Sequence, residues 1–572
     1  NYGTIKNRIS AAHSVSADMY AGGIAAINSG GKIERCVSAD INVFDYMMNN
    51  CGRIAVNKKE GITNSNFALD TMNTTSDTDV RESDNRNGVD ISWEELCDRR
   101  RLCAAAGLDE TLWTNCEEYR IMYPKGAAAP QLLEGICEYA PVRISSAAEL
   151  LGIIQNPDRH YILTRDIYFD EHLPGTPAGA GDGFSGSLDG NGCTIFNLRP
   201  EPMKDGVCAM FEKIAENGTV RSLRLYNARV SGELCGAFAG ENRGTITGCS
   251  ADALSVAYNG AGVYAGGICG ENFGIVRGCS VSGEMKLSAA NTVAGGICAH
   301  NEGLVEQCSF SGGISAVKEN GVSEAVSGGI CGYSSDAMIY ESYSSANISQ
   351  TATTMYTGGI CAILSGGDIY KCSSRGKVTS APPRHVGAKA YTGGVCALAS
   401  GAVVINSFSV ADITAYSAAG YAGGVCGYNE SANIQTTYAA GRVVHTYDAT
   451  FDMQESVYAG GVCGYNEAGT IERNMALCPE VKSGGSVGRI CAGGDGALLY
   501  SNFALADMRI AGGAPGAFAG ADTSAQRISA GFYRIPVADG GLLGWSDDIW
   551  QRTAGYPYPV LTRVAWQQNF SG

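Results

Sequence analysis

Basic residues, proline and histidine are all scarce in this chain of 572 residues, which has 41 Lys and Arg against 57 Asp and Glu, 15 prolines and six histidines. The formal net charge of −16 leaves no basic stripe to release counterions from phosphates, which excludes nucleic acid as a partner and disfavours an anionic membrane surface. No run approaches the roughly 18 to 20 apolar residues that a membrane helix needs, so no helical span is expected. His13, His160, His172, His300, His385 and His445 form no His-Glu-X-X-His pair. Cysteine knuckles of the Cys-X₂₋₄-Cys kind are missing as well, so no zinc site is expected, and nothing points to a cofactor.

What is present is glycine, 77 residues of it, together with 45% apolar residues. That composition is neither collagen-like nor disordered, and it asks for a fold that buries apolar surface through many tight turns. A chain this long exceeds one ordinary globular core, which leaves several domains or one repeat array.

Self-comparison decides for the array. Tyr264-Ala-Gly-Gly-Ile-Cys-Gly270 recurs as Val293-Ala-Gly-Gly-Ile-Cys298, Val326-Ser-Gly-Gly-Ile-Cys331, Tyr356-Thr-Gly-Gly-Ile-Cys361, Tyr391-Thr-Gly-Gly-Val-Cys396, Tyr421-Ala-Gly-Gly-Val-Cys426 and Tyr458-Ala-Gly-Gly-Val-Cys463. Degenerate copies read Gly232-Glu-Leu-Cys235 and Gly488-Arg-Ile-Cys491, and Tyr20-Ala-Gly-Gly-Ile-Ala25 lies near the start. Counted from Cys235 to Cys491, the period is (491 − 235)/8 = 32 residues. A second element follows at a nearly fixed offset, as in Gly274-Ile-Val-Arg-Gly-Cys-Ser280, Gly303-Leu-Val-Glu-Gln-Cys-Ser309 and Asp368-Ile-Tyr-Lys-Cys-Ser373.

Paired glycines in every repeat would each cost about 1 kcal/mol in a helix, so the repeats are strands and turns. At ~3.3 Å per residue, one period makes a contour of roughly 100 Å, suited to one turn of a three-sided coil whose neighbour lies ~4.8 Å away. The expected fold is all-β: a right-handed parallel β-helix, or β-solenoid, with a short N-cap helix and aromatic C-terminal caps. The glycine pair is expected to serve unusual φ or close backbone approach, not phosphate binding, because no helix N-terminus follows it.

The Gly-Gly-aliphatic-X-Gly segment with its following Gly-X-Ile-X-X-Cys-Ser strand resembles the GLUG motif repeat over residues 231–510. That repeat belongs to bacterial cell-surface adhesin-like proteins and to the non-catalytic N-terminal regions of IgA-specific metallo-endopeptidases. The resemblance implies an extracellular or cell-surface β-solenoid, and the peptidase motif itself has no counterpart here.

Five segments are expected: terminal coils of a first solenoid (1–75), its loop and cap (76–136), an N-terminal cap of a second solenoid (137–230), the repeats (231–510) and a C-terminal cap (511–572). Ile144-Ser-Ser-Ala-Ala-Glu-Leu-Leu-Gly-Ile-Ile154 reads as the cap helix, with Ser145 or Ser146 as N-cap. Gly541-Leu-Leu-Gly-Trp-Ser-Asp-Asp-Ile-Trp550 and Tyr556-Pro-Tyr-Pro-Val-Leu561 read as an aromatic plug for the last coil. Asp182 and Asp189, each before a glycine, read as turn residues. Because Asn1-Tyr-Gly-Thr-Ile-Lys-Asn7 is already in repeat phase, the chain is expected to be a piece of a longer polypeptide or a filament subunit. Its neighbours would be repeats or subunits met end to end, with a host or surface glycan or protein as a possible ligand.

Cys235, Cys269, Cys298, Cys331, Cys361, Cys396, Cys426, Cys463 and Cys491 recur once per coil. They are expected to form a structural ladder of buried thiols, because parallel Cβ vectors at coil spacing do not turn sulfurs toward each other. Strict alternation would place the Tyr and Ile of Tyr-Ala-Gly-Gly-Ile-Cys on one face and the Cys on the other, so one ladder faces outward unless a bulge resets the alternation. No catalytic residue is assigned. A non-enzymatic structural or adhesive role is expected, with a carbohydrate-active β-helix enzyme as the alternative. That enzyme needs carboxylates and a base stacked on neighbouring coils, and Asp and Glu do not read as recurring in register.

Overall fold

The computed structural model describes residues 1, 3–10, 14–17, 21–38, 42–45, 51–58, 62–69, 72–74, 88–91, 98–115, 122–125, 141–170, 183–203, 205–318, 323–382, 387–447, 457–512, 526–528, 545–546, 549–551 and 559–561. Strands make up 60% of the structure and helices 4%, and they form a parallel β-solenoid of about 13 turns. The chain divides into two compact units, Asn1–Arg143 with Arg159–Tyr161, and Ile144–Asp158 with Ile162–Gly572.

In the second unit each coil crosses three sheets. Cys269–Asn272 lies in a first sheet of ten strands that runs from Phe211–Ile214 to Cys491–Asp495. Ile275–Arg277 lies in a second sheet that ends at Leu498–Tyr500, and Ser280–Gly295 in a third of 28 strands that starts at Ile167–Tyr168. Pairing between coils is parallel and in register, with Cys269 opposite Cys298, Val276 opposite Val305, and Gly266 opposite Gly295. Val276, Val305, Ile339, Ile369, Val404, Ile434 and Ile471 thereby form one aliphatic column at 0% exposure down the interior.

The alternation is reset between the third and first sheets. Gly267 and Ile268 form a bend between Ser250–Gly266 and Cys269–Asn272. The Ile268 and Cys269 N–H groups both donate to the Ile297 carbonyl, at 2.8 and 3.2 Å. One acceptor thus serves two residues, and the same doubling recurs at Ile330, Ile360, Val395, Val425, Val462 and Ile490. Ile and Cys therefore both point inward, and the tyrosine of the motif is left outside.

The bend also explains the glycines, through close approach and not through unusual φ. A Cβ on Gly266 would stand 1.7 Å from the Cys269 carbonyl oxygen of its own coil, and one on Gly267 would stand 2.0 Å from the Gly296 carbonyl oxygen of the next. The corner between the second and third sheets has a different rule. A residue with positive φ, such as Gly278 (61°), Gln307 (53°), Lys371 (51°) or Arg473 (57°), precedes an inward Cys, Ser, Thr or Asn. That inward side chain serves the backbone of the coil before it. Cys308 Sγ donates to the Val276 carbonyl at 3.5 Å, Asn474 Nδ2 to Ile434 at 2.9 Å and Asn502 Nδ2 to Ile471 at 2.8 Å. Cysteine there is a weak donor interchangeable with small polar residues.

Ser146 is the N-cap of Ala147–Leu151, and Glu149 Oε2 accepts the Ser145 N–H at 2.7 Å, a reciprocal cap that starts the helix where the sequence places it. Asp189 accepts the Asn191 N–H at 2.7 Å as a turn residue does, and Asp182 lies outside the described residues.

The C-terminal aromatics differ from an end plug. Trp545, Trp550 and Leu561 pack on Phe408, Tyr438, Met475 and Phe503, one outward column of the third sheet on four successive coils. Tyr438 donates its hydroxyl to the Pro559 carbonyl at 2.8 Å, and Trp545 Nε1 donates to Arg473 O at 2.9 Å. The segment clasps the flank because that column is too large and apolar to leave in water.

In the first unit, Lys32–Glu34 pairs in parallel with both Thr4–Lys6 and Ile62–Asn64. Coiling continues beyond residue 75, since Val89–Ile91 pairs in parallel with Phe67–Leu69. The helix Arg99–Ala106, capped by Asp98 and closed by Gly107 at φ 61°, adds Leu102, Cys103 and Ala106 to a core with Ile33, Val37 and Ile54. Most of the polar run from Asp70 to Asn87 lies outside the described residues.

Two outcomes follow. A Cβ on Gly359 would stand 2.0 Å from the Gly394 carbonyl oxygen, whereas one on Gly262 would meet only Asn291 O at 3.7 Å. Urea unfolding followed by circular dichroism should show Gly359→Ala losing about 3 kcal/mol or more and Gly262→Ala staying near wild type. His445, fully buried, accepts at Nε2 from Ser417 Oγ at 2.8 Å and donates from Nδ1 to Tyr458 O at 3.2 Å; burial lowers its pKa to about 4. Against ~6.5 unfolded, the unfolded chain holds the extra proton between these values. Stability should therefore fall by up to about 3 kcal/mol as pH drops from ~6.5 to ~4, a slope that a pH series of the His445→Gln variant should lack.

Candidate functional site

The thiol ladder lies in the interior. Cys269, Cys298, Cys331, Cys361, Cys396, Cys426, Cys463 and Cys491 are each opposite the next and essentially inaccessible. Cys298 Sγ and Cys331 Sγ share a thiol hydrogen bond at 3.4 Å and form no disulfide. Burial holds the Cys361 thiol well above its ordinary pKa, and pushes Cys372 and Cys478 up to about 12.

Cys235 does not belong to this ladder. It pairs with Cys208 and Ala265, while the residue opposite Cys269 is Ala239. The true counterpart of Ala265-Gly-Gly-Ile-Cys269 is therefore Cys235-Gly-Ala-Phe-Ala239, four residues later than the alignment on cysteine implies. The corrected period is (491 − 239)/8 = 31.5 residues.

Outside, the same bend creates a groove. Outward side chains of two sheets diverge at a convex corner, but here they converge: Tyr421 lies 4.7 Å from Tyr428, and Tyr458 lies 5.1 Å from Tyr465, centroid to centroid. The residue after each ladder position is Gly or Ala because the opposite wall lies over it. A Cβ on Gly270 would be 2.3 Å from Leu234 Cδ1, and one on Gly240 would be 2.5 Å from Val207 Cγ1.

The early coils charge this groove. Lys213, Glu241, Glu271, His300 and Tyr333 are in register on successive coils of the first sheet. Glu241 is paired with Arg243 and with Lys213 at 3.3 Å, while Arg243 lies 4.6 Å above the Phe273 ring. Burial pushes the Glu271 carboxyl up, against the pull of His300. Carboxylates thus do stack here, contrary to the expectation from sequence. The repeated tetrapeptides Ala239-Gly-Glu-Asn242 and Cys269-Gly-Glu-Asn272 carried that signal, and the alignment on Cys235 hid it.

The later coils make the groove aromatic. Tyr356, Tyr391, Tyr421 and Tyr458 form one wall, in register, with Tyr356 stacked on Tyr391 at 4.7 Å, Tyr391 tilted by 44° against Tyr421 at 5.2 Å and Tyr421 stacked on Tyr458 at 5.4 Å. Tyr428 and Tyr465 face them, parallel to within 5°. Tyr428 donates its hydroxyl to Glu467, which stacks in register between Glu430 and Asp495 along the lip. Burial pushes the Tyr356 and Tyr421 phenols up to about 12, so both stay neutral hydrogen-bonding groups.

Behind the groove, Asn242 Nδ2 donates to Asn272 Oδ1 at 2.7 Å and Asn272 to Asn301 at 2.8 Å. Asn429 donates to Asn466 at 2.7 Å in the same position of later coils. This buried amide ladder is visible in sequence as the Asn three residues after the ladder position. Gly484-Gly-Ser-Val-Gly488 has the spacing of a nucleophile elbow, but Ser486 opens the strand Ser486–Gly488 opposite Tyr458, and the strand Cys491–Asp495 follows in place of a helix. Among the described residues no group of three or more His, Cys, Asp or Glu could hold a metal ion, and no helix is long and apolar enough to cross a membrane.

No family model matches the chain. Halomucin of Haloquadratum walsbyi (strain DSM 16790 / HBSQ001) is 32% identical over 124 residues, 19% of this chain; the chain spans about 1% of that protein's length. A putative immunoglobulin A1 protease from Bacteroides ovatus aligns at 15% identity and a TM-score of 0.28, covering 74% of this chain and 92% of that one. An IgA1 protease aligns at 18% identity and a TM-score of 0.33, covering 54% of this chain and 22% of that one. Likeness of this extent assigns neither activity nor substrate.

The eighteen cysteines whose side chains the structure describes are all free, and every one except Cys193 is buried. Titration with a disulfide reagent and no reductant should find Cys193 reactive among these in the native state. All eighteen should react after unfolding.

Proposed function

We propose that the chain is an extracellular β-solenoid of a bacterial surface protein or filament, with a non-enzymatic structural or adhesive role. The observation that supports it most is the continuity of the ladders: from Cys269 to Cys491 the interior keeps one register, so the coils form a stiff support. The outward groove residues change from charged in the early coils to aromatic in the later ones. An acidic exterior keeps such a support soluble, and the GLUG-like pattern of the repeats agrees with a surface location.

One observation favours a second reading, a carbohydrate-active enzyme: the column Lys213, Glu241, Glu271 and His300. There one carboxylate is held by bases and its neighbour is raised by burial, the pairing that glycoside cleavage uses.

Two measurements check these readings. Antibodies to residues 231–510 should label intact producing cells, and labelling only after permeabilisation would refute a surface role. Incubation with neutral and anionic polysaccharides should release no new reducing ends. Release that disappears in Glu241→Gln and Glu271→Gln, with the fold retained, would establish the enzyme instead.

A further inference from the structure

The aromatic half of the groove has the chemistry of a binding site. Tyr391, Tyr421 and Tyr458 on one wall and Tyr428 and Tyr465 on the other are half-buried residues of successive coils. Tyr421 with Tyr458 and Tyr428 with Tyr465 stack at 5.4 and 5.5 Å, Tyr391 is tilted 44° against Tyr421, and the walls touch at 4.7 Å between Tyr421 and Tyr428, so ring edges form a shallow strip along the groove. The lip carries Glu430 and Glu467, which accept hydrogen bonds. No Lys, Arg or His occupies either wall among the described residues from Tyr391 to Tyr465.

The ligand class follows by elimination among chemistries. Carboxylates at the lip and a wall without cations disfavour an anionic polymer. An extended peptide has no strand edge to join, because the backbone groups of these coils are spent on one another along the axis. A chain of neutral sugar rings needs what is present: apolar wall, neutral phenols and carboxylate acceptors, repeated at the coil spacing of ~4.8 Å, close to the length of one pyranose unit. We propose that this half of the groove binds a linear uncharged polysaccharide lying along the solenoid axis, held by tyrosine and carboxylate hydrogen bonds. The proposal rests on the adhesive reading above and names its ligand class.

The test is native electrophoresis of the full chain through gels cast with hydroxyethylcellulose, with galactomannan, with polygalacturonate or with no polymer. Retardation by at least one of the two neutral polymers, and not by polygalacturonate, is expected. The double variant Tyr421→Phe with Tyr428→Phe keeps ring stacking, and its affinity should fall about tenfold through loss of two hydroxyl contacts. Tyr421→Ser with Tyr428→Ser, checked by circular dichroism, should abolish retardation. Migration unaffected by both neutral polymers, equal retardation by polygalacturonate, or full binding by the double Phe variant would each overturn the proposal. So would a concentration-dependent dimer in sedimentation that the Ser variant abolishes, since the occupant would then be a second copy. Failure here leaves the cell-labelling result standing, so the two readings fail separately.

Discussion

The constraint on which the rest depends is parallel, in-register hydrogen bonding between coils. Each coil advances one strand spacing, ~4.8 Å, so every side chain sits directly on its own counterpart. A column must then consist of residues that tolerate their own kind at contact distance. Aliphatics do so by packing. Asparagines do so because each amide carries both a donor and an acceptor, as in Asn242, Asn272 and Asn301. Like charges repel, and several charged columns change sign from coil to coil: Arg277 meets Glu306 at 2.6 Å, Glu341 meets Lys371 at 3.2 Å, and Glu480 lies between Arg442 and Arg509.

The Gly-Gly-aliphatic bend turns that constraint into a shape. By giving one carbonyl two donors, it places Ile and Cys together inside and brings the outward faces of two sheets toward each other. The interior gains a filled corner, and the exterior gains a groove. One local device thus accounts for the obligatory glycines, the buried thiols and the exposed tyrosines. Like charges remain stacked along the groove's lip, at Glu430, Glu467 and Asp495, and where Glu241 lies on Glu271.

The flank of the last coils shows the same logic where a column is unsuited to water. Phe408, Tyr438, Met475 and Phe503 stack well on one another but leave a broad apolar strip, which Trp545 and Trp550 cover. The first strip is covered by another segment, whereas the tyrosine strip beside the first sheet stays half-buried. Tyrosine at an edge keeps a polar atom for water or ligand, and phenylalanine does not.

Sequence alone determined the solenoid, the approximate length of its coil and a cap helix starting at Ser145 or Ser146, because periodic Gly-Gly-aliphatic-Cys segments admit only strands stacked in parallel. It left the parity of the Tyr, Ile and Cys side chains open, since alternation is a rule within a strand and the bend between strands is a matter of which carbonyl receives two N–H groups. It misplaced Cys235 because identical residues align more readily than equivalent ones. Gly236-Ala-Phe-Ala239 keeps the backbone geometry with a different side chain, and only pairing to the next coil reveals it. The same four-residue offset concealed the stacking of Glu241 on Glu271. The groove was decided by tertiary structure alone, because its walls come from different sheets of successive coils, and their convergence is a property of the corner angle and of no single segment.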